Sequence, residues 1–469
     1  MLRAKNLRLK YPNGKRKIFD QLDIEIKPKE KVLLLGPSGS GKSTLLNVLS
    51  GIVPHLIDIP IKYDALDIDA HPGVIFQDPD TQFCMPKVYE ELAFILENKQ
   101  VPTEEMNAQI QHALARVNLN VSKDQHIQTL SGGMKQKLAI AETLLLNAET
   151  LFLDEPTAML DIASTAAVWE QIISMWQDQT VVIVEHKVAH IWDHVDRVIL
   201  IDYQGKIIAD DTPTTILHQH ETLLSEYGVW HPKAWDHAPT QRRHTSKPTQ
   251  PFNLKFENGT VLRGKRNLIT IDDLSIHAGE WITITGANGS GKTSLLESLM
   301  QLIKYKGHVS FNHHTLKKIK HAAKHMYMVY QNPELQFMTN SVYDEIHIHY
   351  TRTYTPSEAK QKTLSMLSRL NLLAVKHQHP FELSVGQKRR LSVAIALSTN
   401  AHILLLDEPT FGLDSHNTFE LIRCFQDCVD HGQTIVMVTH DPELIQRYAT
   451  RQFTVDNERM YESAGDAHV

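Results

Sequence analysis

Two eight-residue stretches, Gly36-Pro-Ser-Gly-Ser-Gly-Lys-Ser43 and Gly286-Ala-Asn-Gly-Ser-Gly-Lys-Thr293, carry the residue types that hold a nucleoside triphosphate. The first follows an apolar run, Lys31-Val-Leu-Leu-Leu35, and is expected to open a helix, the strand–loop–helix setting this pattern requires. Gly36, Gly39 and Gly41, like Gly286, Gly289 and Gly291, let backbone close around phosphate oxygens. Pro37, Ser38 and Ser40, with Ala287, Asn288 and Ser290, complete the cradles, and Thr44 and Ser294 follow them. Lys42 and Lys292 are expected to reach the β- and γ-oxygens, and Ser43 and Thr293 to offer hydroxyls to Mg²⁺. Thr150-Leu-Phe-Leu-Asp154 ends in an acid that should hold Mg²⁺ through its water shell. Glu155 follows, placed to polarise the water that attacks the γ-phosphate, and Asp407 and Glu408 repeat the pair. Leu130-Ser-Gly-Gly-Met-Lys-Gln136 has another character: Ser131, Gly132 and Gly133 lead into a helical run, Met134 to Asn147. A serine N-cap with flanking glycines is an anion site, yet the phosphate loop of the same half is already complete. Leu383-Ser-Val-Gly-Gln387 is its second copy, so the simplest reading has each signature close over the nucleotide held by the other half.

Elements must position these groups. Val181-Val-Ile-Val-Glu-His186 reads as a third buried strand, with His186 at its C-terminal end. The opening residues alternate through Leu7-Arg-Leu-Lys10 and turn at Pro12-Asn13-Gly14, an edge strand and hairpin with Tyr11 just before the turn. Gln77 lies in Val74-Ile-Phe-Gln-Asp-Pro-Asp-Thr-Gln82, after a short helix. Helical patterns run from Val88 to Asn98 and from Pro102-Thr-Glu-Glu105 to about Val117. Residues 226–251 hold Pro232, Pro239, Pro248 and Pro251 among polar residues, a linker whose first part should pack through Trp230 and Trp235. The second half repeats the first: Lys42 and Lys292 are 250 residues apart, Ser131 and Ser384 are 253 apart, and His186 and His440 are 254 apart. Gln331 repeats Gln77. The expected fold is therefore α/β, with residues 1–225 and 252–469 as two fused P-loop domains, each a core sheet with a helical subdomain. Phe256-Glu-Asn-Gly259 parallels Tyr11-Pro-Asn-Gly14, making Phe256 the expected counterpart of Tyr11.

The motif at 130–136, with Ser131 lying 23 positions ahead of Asp154, resembles the signature of the ATP-binding-cassette (ABC) ATPases. That resemblance implies ATP and Mg²⁺ as ligands, with Tyr11 and Phe256 stacking on adenine. It makes Gln77 and Gln331 bridges from Mg²⁺ or attacking water to the surface that senses a membrane partner. It makes His186 and His440 the γ-phosphate contacts, and places Asp161 and Asp414 in D-loops that touch the opposite half. Site one would join Lys42, Ser43, Gln77, Asp154, Glu155 and His186 to Ser384 and Gly386. Site two would join Lys292, Thr293, Gln331, Asp407, Glu408 and His440 to Ser131 and Gly133. The wording Gln77-Asp-Pro-Asp-x-Gln82, then Glu91-Leu-Ala-Phe-x-Leu-Glu-Asn98, is similar to ATPases of energy-coupling-factor (ECF) importers of vitamins and transition metals. It implies an ATP-hydrolysing, energy-coupling subunit, peripheral on the cytoplasmic face of the cell membrane. The partners would be a transmembrane scaffold subunit and a substrate-binding integral membrane subunit. Two residues depart from the pattern: Met134 stands where the family has Gln, and Val385 where it has Gly. If that second position needs a positive φ, valine costs about 1–3 kcal/mol, which would weaken site one.

Composition sets the outer limits. A chain of 469 residues, 42% apolar and 22% charged, suits two globular domains. No apolar run approaches the ~18 residues of a membrane span and no signal peptide is evident, so transport would need membrane-embedded partner chains. Formal net charge is −6, divided as −9 over residues 1–225 and +1 over 252–469. Neither half has the strongly basic balance of a nucleic-acid binder. A ribosome-associated tandem ABC protein acting in translation is the rival reading, but that class has a long charged helical linker and this one is short and proline-broken. A sugar-type tandem importer ATPase is disfavoured by the Gln-Asp-Pro-Asp-x-Gln wording. Cys84, Cys424 and Cys428 fit a reducing compartment, the last two as packed thiols on one helix face.

Overall fold

The computed structural model describes residues 1–12, 14, 16–37, 39–157, 160, 162–176, 178–242, 251–264 and 266–463. Ser38, Asp161 and Pro248 lie outside the described residues. The chain divides into two compact units, Met1–His237 with Asp414–His416, and Ala238–Leu413 with Asn417–Val469.

In the first unit the strands are β1 (Leu2–Leu9), β2 (Phe19–Ile26), β3 (Lys31–Leu35), β4 (Ile61–Lys62), β5 (Ala65–Asp67), β6 (Gly73–Ile75), β7 (Thr150–Asp154), β8 (Thr180–Val184), β9 (Arg197–Ile201) and β10 (Ile207–Asp211). Six form one sheet in the order β10-β9-β3-β8-β7-β6. All its pairings are parallel except β10 on β9. Strands β3, β7 and β8 read as unbroken apolar runs because both faces of this sheet are covered. Val32 and Leu34 enter a core shared with β1, β2 and the helix Lys42–Leu49. Leu33 and Leu35 enter the opposite core, under the helices Val88–Asn98, Thr103–Arg116, Gly132–Leu146 and Ile162–Met175. Parallel strands end at one edge, so β3, β7 and β8 deliver Gly36, Asp154 and His186 to the same side.

The strand expected at an edge is not one. β1 pairs with β2 on one side and with β4 and β5 on the other. Alternation along Leu2–Leu9 reveals that one face is buried and says nothing of how many neighbours a strand has. The helix after Ser131 begins at Gly132 rather than Met134, and Asn147 closes it in a left-handed conformation, φ 52°.

The second unit repeats the plan with β11 (Asn253–Arg263), β12 (Arg266–His277), β13 (Trp281–Gly286), β14 (Tyr305–Phe311), β15 (His314–Thr315), β16 (Met326–Val329), β17 (Ile403–Asp407), β18 (Thr434–Val438), β19 (Arg451–Asp456) and β20 (Arg459–Ser463). Its sheet runs β15-β14-β11-β12-β20-β19-β13-β18-β17-β16, and the last six match the first unit's order strand for strand. Helices Lys292–Leu299, Val342–Tyr350, Pro356–Arg369 and Val385–Leu397 occupy the corresponding places in the chain. Within the first unit Trp230 is buried with its ring tilted against that of Trp235 at 5.6 Å, and within the second Arg242 pairs with Asp427 and Asp430. Cys424 and Cys428 are both buried in the helix Ser415–Asp430. Among the described residues, no helix is long and apolar enough to cross a membrane.

Candidate functional site

Backbone conformation builds each phosphate loop. Gly36, Gly39 and Gly41 have φ of 151°, 80° and 99°, and Gly286, Gly289 and Gly291 have 141°, 78° and 100°. Only glycine enters that region without strain. Lys42 Nζ donates to the carbonyls of Gly36 (2.8 Å) and Pro37 (3.1 Å), and Lys292 Nζ to Gly286 (2.6 Å) and Ala287 (2.9 Å). The hydroxyls of Ser40 and Ser290 are buried without a hydrogen-bond partner among the described residues. Buried donors of this kind, facing a glycine-lined loop at a helix N-terminus, fit the phosphates of ATP. Thr44 and Ser294 lie in the helices that follow, while Asn288 is exposed at its loop.

Behind each loop stands a hydroxyl–carboxylate pair. Ser43 Oγ donates to Asp154 Oδ1 at 2.9 Å, and Thr293 Oγ1 to Asp407 Oδ2 at 2.7 Å. Burial pushes the Asp154 carboxyl up to about 6, against the pull of the Ser43 hydroxyl, and burial likewise raises Asp407. Buried carboxylates with a hydroxyl oxygen alongside suit a hard cation such as Mg²⁺.

The next residue is gripped in the first unit from two sides. Glu155 Oε1 lies 3.0 Å from His186 Nε2, and Gln77 Nε2 donates to Glu155 Oε2 at 2.7 Å. Burial would raise Glu155, but the bond and charge of His186, with the charge of Lys42, outweigh it and hold the carboxyl below its ordinary range. Burial would lower His186, and the bond to Glu155 outweighs that too, leaving the imidazole raised. In the second unit His440 Nε2 lies 3.6 Å from Glu408 Oε1, and Gln331 is exposed just past β16. Glu155 and Glu408 both adopt positive φ, 48° and 50°, which for a non-glycine residue costs about 1–3 kcal/mol and marks a position held by its surroundings. Glu185 escaped the sequence reading: it is buried beside His186, accepts from Thr157 Oγ1 at 2.9 Å, and is pushed by burial to about 7. The second unit has Thr439 there, so only the duplication could have signalled it.

Ser131 and Ser384 cap their helices, accepting from Met134 N and Gln387 N at 3.4 Å each. Gln387 returns a bond to Ser384 N at 3.0 Å, a reciprocal cap that Met134 cannot make. None of Gly132, Gly133, Val385 and Gly386 takes a positive φ. Val385 is the first helical residue, 69% exposed, so the strain considered for it does not arise. Each signature helix is also tied to the segment after its glutamine. Lys135 Nζ meets both oxygens of Asp80 at 2.6 and 2.7 Å, and Lys388 Nζ meets Glu334 Oε1 at 2.5 Å.

Tyr11 and Phe256 are not equivalent. The Tyr11 hydroxyl lies 2.9 Å from Thr44 Oγ1, with the ring partly exposed. Phe256 is fully buried mid-strand, edge-on to Tyr305 at 5.2 Å, so its ring cannot stack on adenine. Register explains the error: Ala4 faces Ile24 in the first unit and Phe256 faces Leu274 in the second, so Phe256 occupies the place of Ala4. Leu9 faces Phe19 and Val261 faces Ile269, and two residues beyond them stand Tyr11 and Arg263. Phe256→Ala is expected to cost about 3–5 kcal/mol of stability without changing nucleotide affinity of the folded protein. Arg263→Ala is expected to leave stability intact and weaken binding at the second unit about two- to fivefold, the scale of an exposed cation–π contact. Calorimetric melting and titration with a fluorescent ATP analogue separate the two, and an affinity loss confined to Phe256→Ala would return that residue to the site.

A family model described as "ABC transporter" matches residues 19–158 and 270–411. The chain is 34% identical over 488 residues to the candidate HMP/thiamine import ATP-binding protein YkoD of Bacillus subtilis (strain 168), covering 96% of this chain and 88% of that protein. It is 31% identical over 467 residues to the candidate ABC transporter ATP-binding protein SSO2030 of Saccharolobus solfataricus, covering 92% and 87%. Among solved structures, the archaeal ribosome recycling factor aABCE1, in complex with ribosomal stalk protein aP1, superposes with a TM-score of 0.68 at 21% identity, over 97% of this chain and 89% of that one. At that identity the likeness is one of fold.

Proposed function

This chain belongs to the ABC transporter family as an ATPase with two tandem ATP-binding domains, and on that premise we propose that it is the energy-coupling subunit of an ECF-type membrane importer. Its cargo would be a vitamin or a transition metal. Lys42 and Lys292 bind the phosphates, Glu155 and Glu408 polarise the attacking water, and His186 and His440 contact the γ-phosphate. Ser43, Gln77 and Asp154, and in the second unit Thr293, Gln331 and Asp407, would hold a magnesium ion, which would supply positive charge to the phosphate oxygens. On the sequence reading, Ser131 and Gly133 serve the nucleotide of the second unit, and Ser384 and Gly386 that of the first.

The observation that carries the membrane reading is an apolar surface beside Gln331. Leu335 is 71% exposed and Met338 69%, and Phe337 and the exposed Phe381 meet edge to face at 6.1 Å. Exposed clusters of this kind bind something, and one placed directly after the glutamine suits an apolar helix of a transmembrane scaffold subunit. The import role in the name of the Bacillus subtilis relative supports the same reading. Co-expressed with its membrane subunits, the chain should sediment with membranes at their cytoplasmic face. Leu335→Asp with Met338→Asp should cut that fraction about tenfold or more, a loss of roughly 1.4 kcal/mol or more, and spare ATPase activity of the free chain. Cosedimentation with ribosomes that survives moderate salt, with no membrane complex, would favour a translation factor and sink the importer.

A further inference from the structure

On the second signature helix, five residues past Ser384, Arg389 is 4% exposed. Its Nη1 donates at 3.2 Å to the carbonyl of Tyr330, the residue directly before Gln331. Its Nε has no hydrogen-bond partner among the described residues, and the opposite charges that act on it are the carboxylates of Glu408 and Asp407. Five residues past Ser131 the first unit has Gln136, 2% exposed, whose Nε2 also has no partner among the described residues. One unit therefore buries a cation where its duplicate buries a neutral amide. A guanidinium keeps its proton at any working pH. In a low-dielectric interior such a charge is strongly unfavourable unless opposite charge and hydrogen bonds answer it. Here they come from the segment that leads into the glutamine and from the acid pair, both parts of the hydrolytic site.

We propose that Arg389 is a positioning residue for ATP hydrolysis in the second unit, fixing the backbone before Gln331 to the signature helix and setting a permanent charge opposite Glu408. It acts through those two residues. The first unit, with Gln136, works without this device, so at this position the duplicated sites differ by a buried cation. The proposal rests on Glu408 being the residue that polarises the attacking water.

The test uses the full-length chain carrying Glu155→Gln, so that turnover reports on Glu408. Arg389→Gln, which copies the first unit, and Arg389→Met, which fills the space without charge, are expected to lower kcat about tenfold or more with KM for ATP held within about twofold. Arg389→Lys is expected to recover most of the lost kcat. Removing one member of a buried charged set leaves the carboxylates unanswered. Thermal melting is therefore measured on every variant and kcat is compared among those that fold, with Arg389→Gln and Arg389→Lys keeping a donor at this position. Parental kcat in Arg389→Met, or equal losses in the lysine and methionine variants, would overturn the proposal. Glu408→Gln in the same background distinguishes the two readings: turnover that survives it overturns the role of Glu408 and the proposal with it. Turnover abolished by Glu408→Gln but untouched by Arg389→Met overturns the role of Arg389 alone.

Discussion

Replacing Glu155 and Glu408 together by glutamine is expected to lower ATP turnover about 10³-fold or more while leaving ATP bound. The two carboxylates are held where no ordinary residue sits comfortably, each at positive φ at the end of a buried strand. Glutamine keeps the shape and most of the contacts but cannot take a proton, and a positioned base is worth about 10²–10⁴ in rate. In the first unit the substitution also turns the 3.0 Å contact with His186 from a charged bond into a neutral one. Turnover and equilibrium binding must be measured on one preparation, because a variant that loses both has lost its fold. The same variant tests whether the halves pair within one chain. It should hold two ATP and remain a single chain in sedimentation, and a dimer of whole chains that forms only with ATP would refute intramolecular pairing.

Gly36→Ala is expected to abolish nucleotide binding in the first unit, and Gly286→Ala in the second. A Cβ on Gly36 would lie 2.3 Å from the carbonyl oxygen of Ile201, and one on Gly286 would lie 2.4 Å from that of Val455. Both oxygens belong to the strand that flanks the phosphate-loop strand, β9 and β19 respectively, so neither can withdraw without breaking the sheet. Overpacking costs about 1–3 kcal/mol and the forced backbone about as much again, so a loss of roughly 2–6 kcal/mol is expected. Gly39→Ala is the control: φ is positive there too, 80°, but beyond its chain neighbours no atom of the described residues lies within 4 Å of the added carbon. It should cost only about 1–2 kcal/mol of backbone strain. Thermal melting with and without ATP compares the two, and a Gly36→Ala protein no worse than Gly39→Ala would show that the β3–β9 approach does not constrain the loop.

The phosphate loops, acid pairs and histidines were legible because each is a contiguous string whose chemistry depends on neighbours in sequence. Gly36 to Ser43 states its own turn, and Asp154-Glu155 states its own strand end. What stayed hidden depends on pairing between distant segments. Phe256 matched Tyr11 through a shared Asn-Gly dipeptide, whereas strand register sets it opposite Leu274 in the core. Arg263 had no motif at all, and its place follows only from the pairing of Val261 with Ile269. The central position of β1 depends on β4 and β5, two and three residues long, too short for any periodicity. Concern over Val385 came from assuming a glycine conformation, when the helix already begins at Val385, directly after the Ser384 cap. Arg389 belongs to none of the strings read from the sequence, since burial of a charge is not written in residue type.

The lysine–carboxylate pairs Lys135–Asp80 and Lys388–Glu334 act as tie rods. Each joins a short helical turn, Pro79–Thr81 or Pro333–Gln336, to the first turn of the helix that Ser131 or Ser384 caps. Two parts that loops alone would leave free to tilt separately are thereby geared together, with one freedom in place of two. A load placed on the turn beyond Gln77 would reach the Ser131 cap through this pair, and the Lys388–Glu334 pair gives the second unit the same route.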